Sequence, residues 1–302
     1  MKAIITGGLG FIGTQLSIQL LEKGHQVAII DHSPQPGPNT PEKARYIYAD
    51  TTVPGAWQEE VRDQDVVINL AGASIFRRWD DNAKKSIYES RILTTRNIVE
   101  AMPDKRGTLL CNTSAVGYYG FRGDEKLTEK DGPGDDFLAG VCVDWEKEAN
   151  KAINKGARVA ITRFGIVLGK TGGVLGKMIP AFKRFAGGPL GNGEQWFSWI
   201  HMEDLLNAFL FVVENKNMYG PINFCSPDPV RNRDFAKALG KVLFRPAFLP
   251  MPAFILRIAL GEFGSVLLEG QRVIPSVLLS CGFAFKYPDI TAALREVVGK
   301  PD

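Results

Sequence analysis

The sequence predicts a doubly wound α/β protein, and three observations predict it. The chain opens MKAIITGGLGFIG, a short apolar run leading into glycines at Gly7, Gly10 and Gly13, the G-x-x-G-x-x-G spacing. Apolar runs and helical stretches then alternate through the first half. Several runs end on polar or glycine residues (Asp31, Asp50, Asn69 to Gly72, Ser114, Arg163 to Gly165), the strand ends at which such sheets carry ligands. Length permits it, because 302 residues at 45% hydrophobic content can bury one large or two unequal domains.

In chain order, Met1 to Thr6 reads as a buried strand, Thr14 to Lys23 continues as an apolar-periodic helix, and Gln26 to Asp31 is a second strand closing on a carboxylate. Strand, glycine turn, helix, strand and acid in this order form the dinucleotide-binding βαβ unit of a Rossmann-type sheet. Gly7 allows the tight turn, Gly10 lets backbone approach a pyrophosphate, and Gly13 lets helix and strand pack closely. The helix start at Phe11 and Ile12 offers unpaired N–H groups to the anion. Asp31 lies eighteen positions after Gly13, near the offset of a carboxylate that binds a ribose 2′-hydroxyl. It would repel a 2′-phosphate by roughly 1–4 kcal/mol, and neutral His32 compensates weakly. NAD(H) is therefore expected ahead of NADP(H), which stays open as the second choice.

The next run, YIYAD, places Asp50 near the adenine edge. Val66 to Leu70 is a strand buried on both faces, and Asn69, Leu70, Ala71 and Gly72 should line the crevice beneath the cofactor's centre. Ser86 to Met102 is helical and carries Arg91, which can reach a phosphate or ribose or sit in a surface salt bridge. Thr108 to Thr113 is a strand feeding Ser114, Phe137 to Ile153 a helix, and Arg158 to Ile161 a strand followed by Arg163 and Gly165 at the crevice. After Gly169 the pattern changes to a glycine-rich stretch, a helix through Val213, a strand at Pro221 to Phe224, a helix from Arg233 capped by Asn232, and helical segments to the end. These features predict a sheet domain of residues 1–169 plus about 198–224, with about 170–197 and 225–302 forming a smaller C-terminal α/β lid domain over the crevice.

A net charge of +3, with basic pairs scattered along the chain, argues against nucleic acid. Four separated cysteines and three histidines argue against a metal site and suggest reduced, mostly buried thiols in a cytoplasmic protein. The strand at the initiator methionine leaves no room for a signal peptide. Pro250, Pro252 and Arg257 interrupt the apolar stretch Pro246 to Leu260, so it is not a membrane span. The expected partner is a small-molecule substrate in the interdomain cleft of a monomer or homodimer, with neither nucleic acid nor membrane.

TGGLGFIG, NLAG, SAVGYYG and the His201–Asp204 element resemble the extended short-chain dehydrogenase/reductase superfamily. RRWDDNAKKSIYESR, RFGIVLG, FSWIHMEDL, NFCSPDPVRNRDFAKAL and EGQRVIP resemble its atypical "epimerase family" branch, described as nucleoside-diphosphate-sugar epimerase-like. The resemblance implies an NAD(P)-binding domain with a small lid and supplies no substrate. It also implies a catalytic tyrosine with a lysine four positions on, whose charge lowers the phenol pKa. No Tyr-x-x-x-Lys occurs here, and Val141 and Trp145 stand in the pair's place. Ser114 remains to hydrogen-bond a substrate carbonyl, and Tyr118 or Tyr119 to serve as a displaced acid or merely to shape the loop. Arg231, Arg233 and Arg272 are candidates for a substrate anion, and Trp196, Phe197 and Trp199 for a pocket wall or junction. The implied activity is an NAD(P)-dependent oxidoreductase or isomerase with non-standard catalytic residues; the alternative is a non-catalytic dinucleotide-binding redox sensor or partner-binding protein.

Overall fold

A computed structural model describes residues 1–104, 107–170 and 172–299. Its frame is one seven-stranded sheet, built from β1 (Lys2–Thr6), β2 (Gln26–Asp31), β3 (Arg45–Tyr48), β4 (Val66–Asn69), β5 (Leu109–Ala115) and two later strands. The short β6 (Lys126–Leu127) lies outside that sheet; β7 (Arg158–Phe164) is inside it. Beyond come β8 (Ile166–Leu168), β9 (Trp196–Phe197), β10 (Trp199–His201), β11 (Gly220–Phe224), β12 (Val230–Arg231) and β13 (Arg272–Val273). The sheet order is β3-β2-β1-β4-β5-β7-β11, with every pairing parallel. The central strands β1, β2 and β4 are buried on both faces, which is why they read as apolar runs rather than alternating ones, while β3 at the edge is partly exposed.

The helices are α1 (Phe11–Glu22), α2 (Asp81–Ala101), α3 (Phe137–Asn150), α4 (Gly173–Lys183), α5 (Met202–Glu214), α6 (Asn232–Leu243), α7 (Ala253–Leu260), α8 (Glu262–Val266), α9 (Ser276–Ser280) and α10 (Ile290–Val298). One core layer joins the sheet to α1 and α5 through Leu16, Ile29, Ile68 and Phe209. The layer on the other face packs Ile4 and Val67 of the sheet against Ile98 of α2 and Ala149 of α3. After β7 the chain leaves the sheet for α4 and returns through α5 and β11. A third core, with Trp199, Phe235, Leu239 and Leu294, holds α4, α6 and α10 together. A smaller cluster of Trp79, Ile87, Phe263, Phe137 and Leu260 fastens α7 and α8 to the loop after β4 and to α2 and α3.

Some boundaries differ from the sequence reading for local reasons. Helix α2 starts well before Ser86, because the Asp80 side chain accepts a hydrogen bond from Ala83 N at 2.7 Å and caps a polar first turn. Asn232 does not cap α6; its Oδ1 accepts from Leu190 N at 2.8 Å and ties down the glycine-rich stretch, while Arg231 occupies the cap position. That stretch contains α4, which glycine and proline content conceals. No helix among the described residues is long and apolar enough to cross a membrane. Cys111, Cys142 and Cys225 are buried and Cys281 is exposed, all as free thiols.

Candidate functional site

In this strand order the chain winds from β1 toward β3 and then, from β4, toward β11. The carboxyl ends of β1 and β4 therefore bound the crevice where the winding reverses. Gly7 takes φ +68°, a backbone region that side chains resist, and a Cβ there would stand 2.9 Å from Ala71 Cα. A Cβ on Gly13 would meet Gly7 O and Gly8 Cα, each at 2.6 Å, and one on Gly10 would meet Gly7 O at 3.1 Å. The turn is thus packed backbone against backbone. Thr14 N makes the first helical bond, to Gly10 O at 3.1 Å, and no side chain caps α1. The amides of Phe11, Ile12 and Gly13 are left to an external acceptor. The Phe11 ring is cradled by Gly169, Gly172 and Gly173, where a Cβ would fall 2.7, 2.8 and 3.1 Å from its carbons.

Asp31 is buried at the end of β2. Its Oδ2 accepts from Leu9 N at 3.1 Å, inside the glycine turn, and its Oδ1 from Ser33 N at 3.2 Å. Exposed His32 lies 3.2 Å from Oδ1 through Nδ1. A carboxylate offers about four acceptor directions, so room remains for a ribose hydroxyl. Asp50 is exposed, and its Oδ1 accepts from Thr52 N and Oγ1.

Asn69 is fully buried and its side chain is spoken for. It accepts from Thr6 Oγ1 at 2.7 Å and donates to Thr95 Oγ1 and Asn112 Oδ1 at 2.8 and 2.7 Å, locking the ends of three strands together. The crevice side of this segment is Leu70, Ala71 and Gly72. Arg91 reaches under it from α2, with Nη1 donating to Ala73 O at 3.1 Å and Ile87 O at 2.9 Å. Gly72 makes room for it, since a Cβ there would lie 3.2 Å from Arg91 Cζ. The guanidinium lies 5.2 Å from the Trp145 ring centre. No carboxylate pairs with it among the described residues, and burial lowers its pKa. It is a cation the protein leaves uncompensated.

Ser114, Arg163, Tyr119 and Glu146 form a buried chain of charge-assisted bonds. Ser114 Oγ donates to Glu146 Oε1 at 2.7 Å. Arg163 donates to both Glu146 oxygens, at 2.8 and 2.7 Å, and through Nη1 to Tyr119 Oη at 2.9 Å. Tyr119 Oη in turn donates to Asn223 Oδ1 at 2.7 Å. Burial opposes the charge on Arg163, but the Glu146 bonds outweigh it and raise its pKa. Burial also pushes the Tyr119 phenol above its usual value, and with both lone pair and proton engaged it does not face the crevice. Arg163 is buried and spends three of its five N–H donors on Glu146 and Tyr119, which holds it in the core rather than at the crevice. Gly165 serves close packing, because a Cβ there would lie 2.9 Å from Ser198 O. Tyr118 differs: it is half-buried, its ring face lies 3.4 Å from the Arg163 Cζ, and its hydroxyl has no bonding partner among the described residues.

Trp145 and Val141 are buried, and the Trp145 indole donates to Thr95 Oγ1 at 2.8 Å. An apolar wall stands where the tyrosine and lysine of the superfamily would project. Beside it, burial pushes the Cys142 thiol up to about 11, which keeps it protonated and inert at neutral pH. The sequence reading assigned no role to Glu146; its signal is an acid on the apolar face of α3, one helical turn from Cys142. His201 caps α5, its Nδ1 accepting from Glu203 N at 3.2 Å, with Nε2 2.9 Å from Glu296. Arg231 pairs with Asp124 and Arg233 with Glu194. The guanidinium groups of Arg231 and Arg272 lie over the Trp196 ring, 4.0 and 4.4 Å from its centre, while Phe197 and Trp199 are core.

Comparison with known proteins agrees with this architecture. The family model for the NAD dependent epimerase/dehydratase family matches residues 3–224, and a domain of unknown function, DUF1731, matches residues 251–297. The chain is 41% identical to the "Epimerase family protein SDR39U1 homolog, chloroplastic" of Arabidopsis thaliana, over 99% of this chain and 87% of that protein. It is 38% identical to the epimerase family protein YfhF of Bacillus subtilis, over 99% and 98%. Among solved structures, human epimerase family protein SDR39U1 (isoform 2) with NADPH superposes with a TM-score of 0.85 at 32% identity, covering 98% of this chain and 99% of that one. A UDP-glucuronic acid 4-epimerase from Bacillus cereus in complex with NAD shares the fold, with a TM-score of 0.78 at 19% identity, over 97% of this chain and 96% of that one. The chain belongs to the NAD dependent epimerase/dehydratase family, among its SDR39U1-like epimerase family proteins.

Proposed function

We propose that this protein binds NAD(H) in preference to NADP(H) and carries out a redox or epimerisation reaction on a small polar or nucleotide-linked substrate. The observation that carries this reading is the reversal crevice itself: a glycine turn with no room for a Cβ at Gly7 or Gly13, free amides at the start of α1, and the Asp31 carboxylate bonded to the same turn. The donor set fits a dinucleotide. The amides of Phe11, Ile12 and Gly13 would hold the diphosphate, Asp31 a ribose hydroxyl, and the uncompensated guanidinium of Arg91 a further phosphate or ribose oxygen.

A bound nicotinamide would supply hydride transfer. The chain's own groups supply the rest. Tyr118 holds a phenol whose proton no described residue engages, with its ring over the Arg163 guanidinium. Glu146 fixes the direction of the Ser114 proton, so the Ser114 oxygen presents lone pairs and suits a substrate hydroxyl better than a carbonyl. Arg91 brings positive charge toward the crevice where a lysine is missing. The experiment is to mix purified protein with NADH or NADPH and panels of carbonyl compounds and sugar nucleotides, following nicotinamide absorbance. Turnover that falls at least about tenfold in Tyr118→Phe is expected; unchanged turnover would remove Tyr118 from the reaction.

A second reading, a non-catalytic dinucleotide-binding protein, is favoured by the buried Val141 and Trp145 and by the engagement of Ser114 and Tyr119 with structural partners. Failure of tightly bound cofactor to be oxidised or reduced under any substrate would select it.

A further inference from the structure

Two helix ends carry phenylalanine where glycine is usual. Phe185, after α4, takes φ +61°, and Phe244, at the end of α6, takes φ +54°, the left-handed region that bulky residues avoid. These are the positive-φ residues other than glycine among the described ones, and both rings are exposed, Phe244 at 73%. Strain held at two sites to display two aromatic rings calls for a use.

The rings border a larger apolar face. Phe248 is 77% exposed and Ile258 70%, and Leu249 and Phe254 stand out beside them. The segments are fastened together. The Arg245 guanidinium lies 4.8 Å from the Phe185 ring centre, Met251 N donates to Pro189 O at 2.8 Å, and Gly191 N donates to Met251 O at 2.9 Å. A Cβ at Gly188 would lie 1.9 Å from Leu249 O, so the two stretches are in backbone contact. Isolated exposed apolar residues are ordinary; a joined set this large marks an interaction surface.

Charge says what it meets. No aspartate or glutamate occurs between Glu148 and Glu194, or between Asp234 and Glu262, the two stretches that build this face. Lys177, Lys183, Arg184, Lys241 and Arg257 are exposed in them. The neighbouring Glu262 is already paired with Lys84. Aromatic and aliphatic side chains framed by lysine and arginine, with no acid among them, match an anionic lipid surface, where the rings enter the headgroup boundary and the cations meet phosphates. A surface contact requires no spanning helix, so the interruption of Pro246 to Leu260 by prolines does not oppose it. We infer that the face formed by the end of α4, the α6–α7 connection and α7 docks this protein on an anionic bilayer.

The test is flotation of the full chain with vesicles of phosphatidylcholine alone or with added phosphatidylglycerol. Binding at least about tenfold stronger to the anionic vesicles is expected, reduced by salt. Phe248→Ser with Phe254→Ser, and separately Lys183→Gln with Arg184→Gln, should each lower binding several-fold while thermal melting and coenzyme binding stay as in the parent. Equal binding to both vesicle types, or none to either, would overturn the proposal. So would a dimer in light scattering that Phe248→Ser dissociates, in the absence of vesicle binding; the face would then join two copies.

Discussion

A Cβ on Gly13 would stand 2.6 Å from the Gly7 carbonyl oxygen and from Gly8 Cα, backbone atoms that cannot rotate away. Gly13→Ala should therefore open the turn, costing about 1–3 kcal/mol of stability and most coenzyme affinity, as urea denaturation and titration will record. Asp31 tests selectivity. Asp31→Asn removes the charge that disfavours a 2′-phosphate, and the NADPH-to-NADH affinity ratio should rise at least about fivefold, since about 1–4 kcal/mol of removed repulsion corresponds to a factor of about five to several hundred; an unchanged ratio would show that Asp31 only fastens the turn. Arg163→Met would leave Glu146 buried without its bidentate partner, at a cost of about 3–5 kcal/mol. The glycines and Asp31 were legible in the sequence because each meets a local backbone demand. Glu146 and the inward turn of Tyr119 were not, because their partners lie far away in sequence: Ser114 and Arg163 for one, Asn223 for the other.

At the level of elements, periodicity found the strands of the sheet and most long helices, and lost the pieces whose stability is tertiary. Helix α4 contains Pro180 and begins at glycines, so nothing local announces it; it forms because Leu175 and Phe182 reach the core shared with α6 and α10 and Phe11 fills the space left at its start. The first turn of α2 is polar and depends on Asp80, so Asp80→Ala should lower stability by about 1 kcal/mol in denaturant unfolding. Helix α10 is docked by Glu296, which meets Lys170 and His201 at 2.6 and 2.9 Å. Burial alone would raise the Glu296 pKa, but those hydrogen bonds overcome it and hold the carboxyl below its usual value. A depressed carboxylate stabilises the fold above its unfolded pKa, about 4.3, and that contribution disappears as pH falls through the lower folded value. Glu296→Gln should flatten the acid limb of the stability curve measured by thermal melting.

For the whole molecule, the alternation of apolar runs and helices was enough to imply a doubly wound sheet, and the strand order then puts Gly7 against Ala71 at the reversal point. The seating of α7 and α8 was beyond reach, because they are held by Trp79 and Phe137 from distant segments. A ligand that binds only the folded state at one hundred times its Kd adds about 2.7 kcal/mol, so coenzyme should also raise the melting temperature. The most direct measurement is calorimetric titration of the parent and Gly13→Ala proteins with NADH and NADPH, with folding checked by circular dichroism. Saturable one-site binding by the parent, tighter for NADH and lost in a folded Gly13→Ala variant, is the expected result. Absence of binding by either coenzyme to the folded parent, or undiminished binding by the variant, would contradict the assignment of the glycine turn as the diphosphate site.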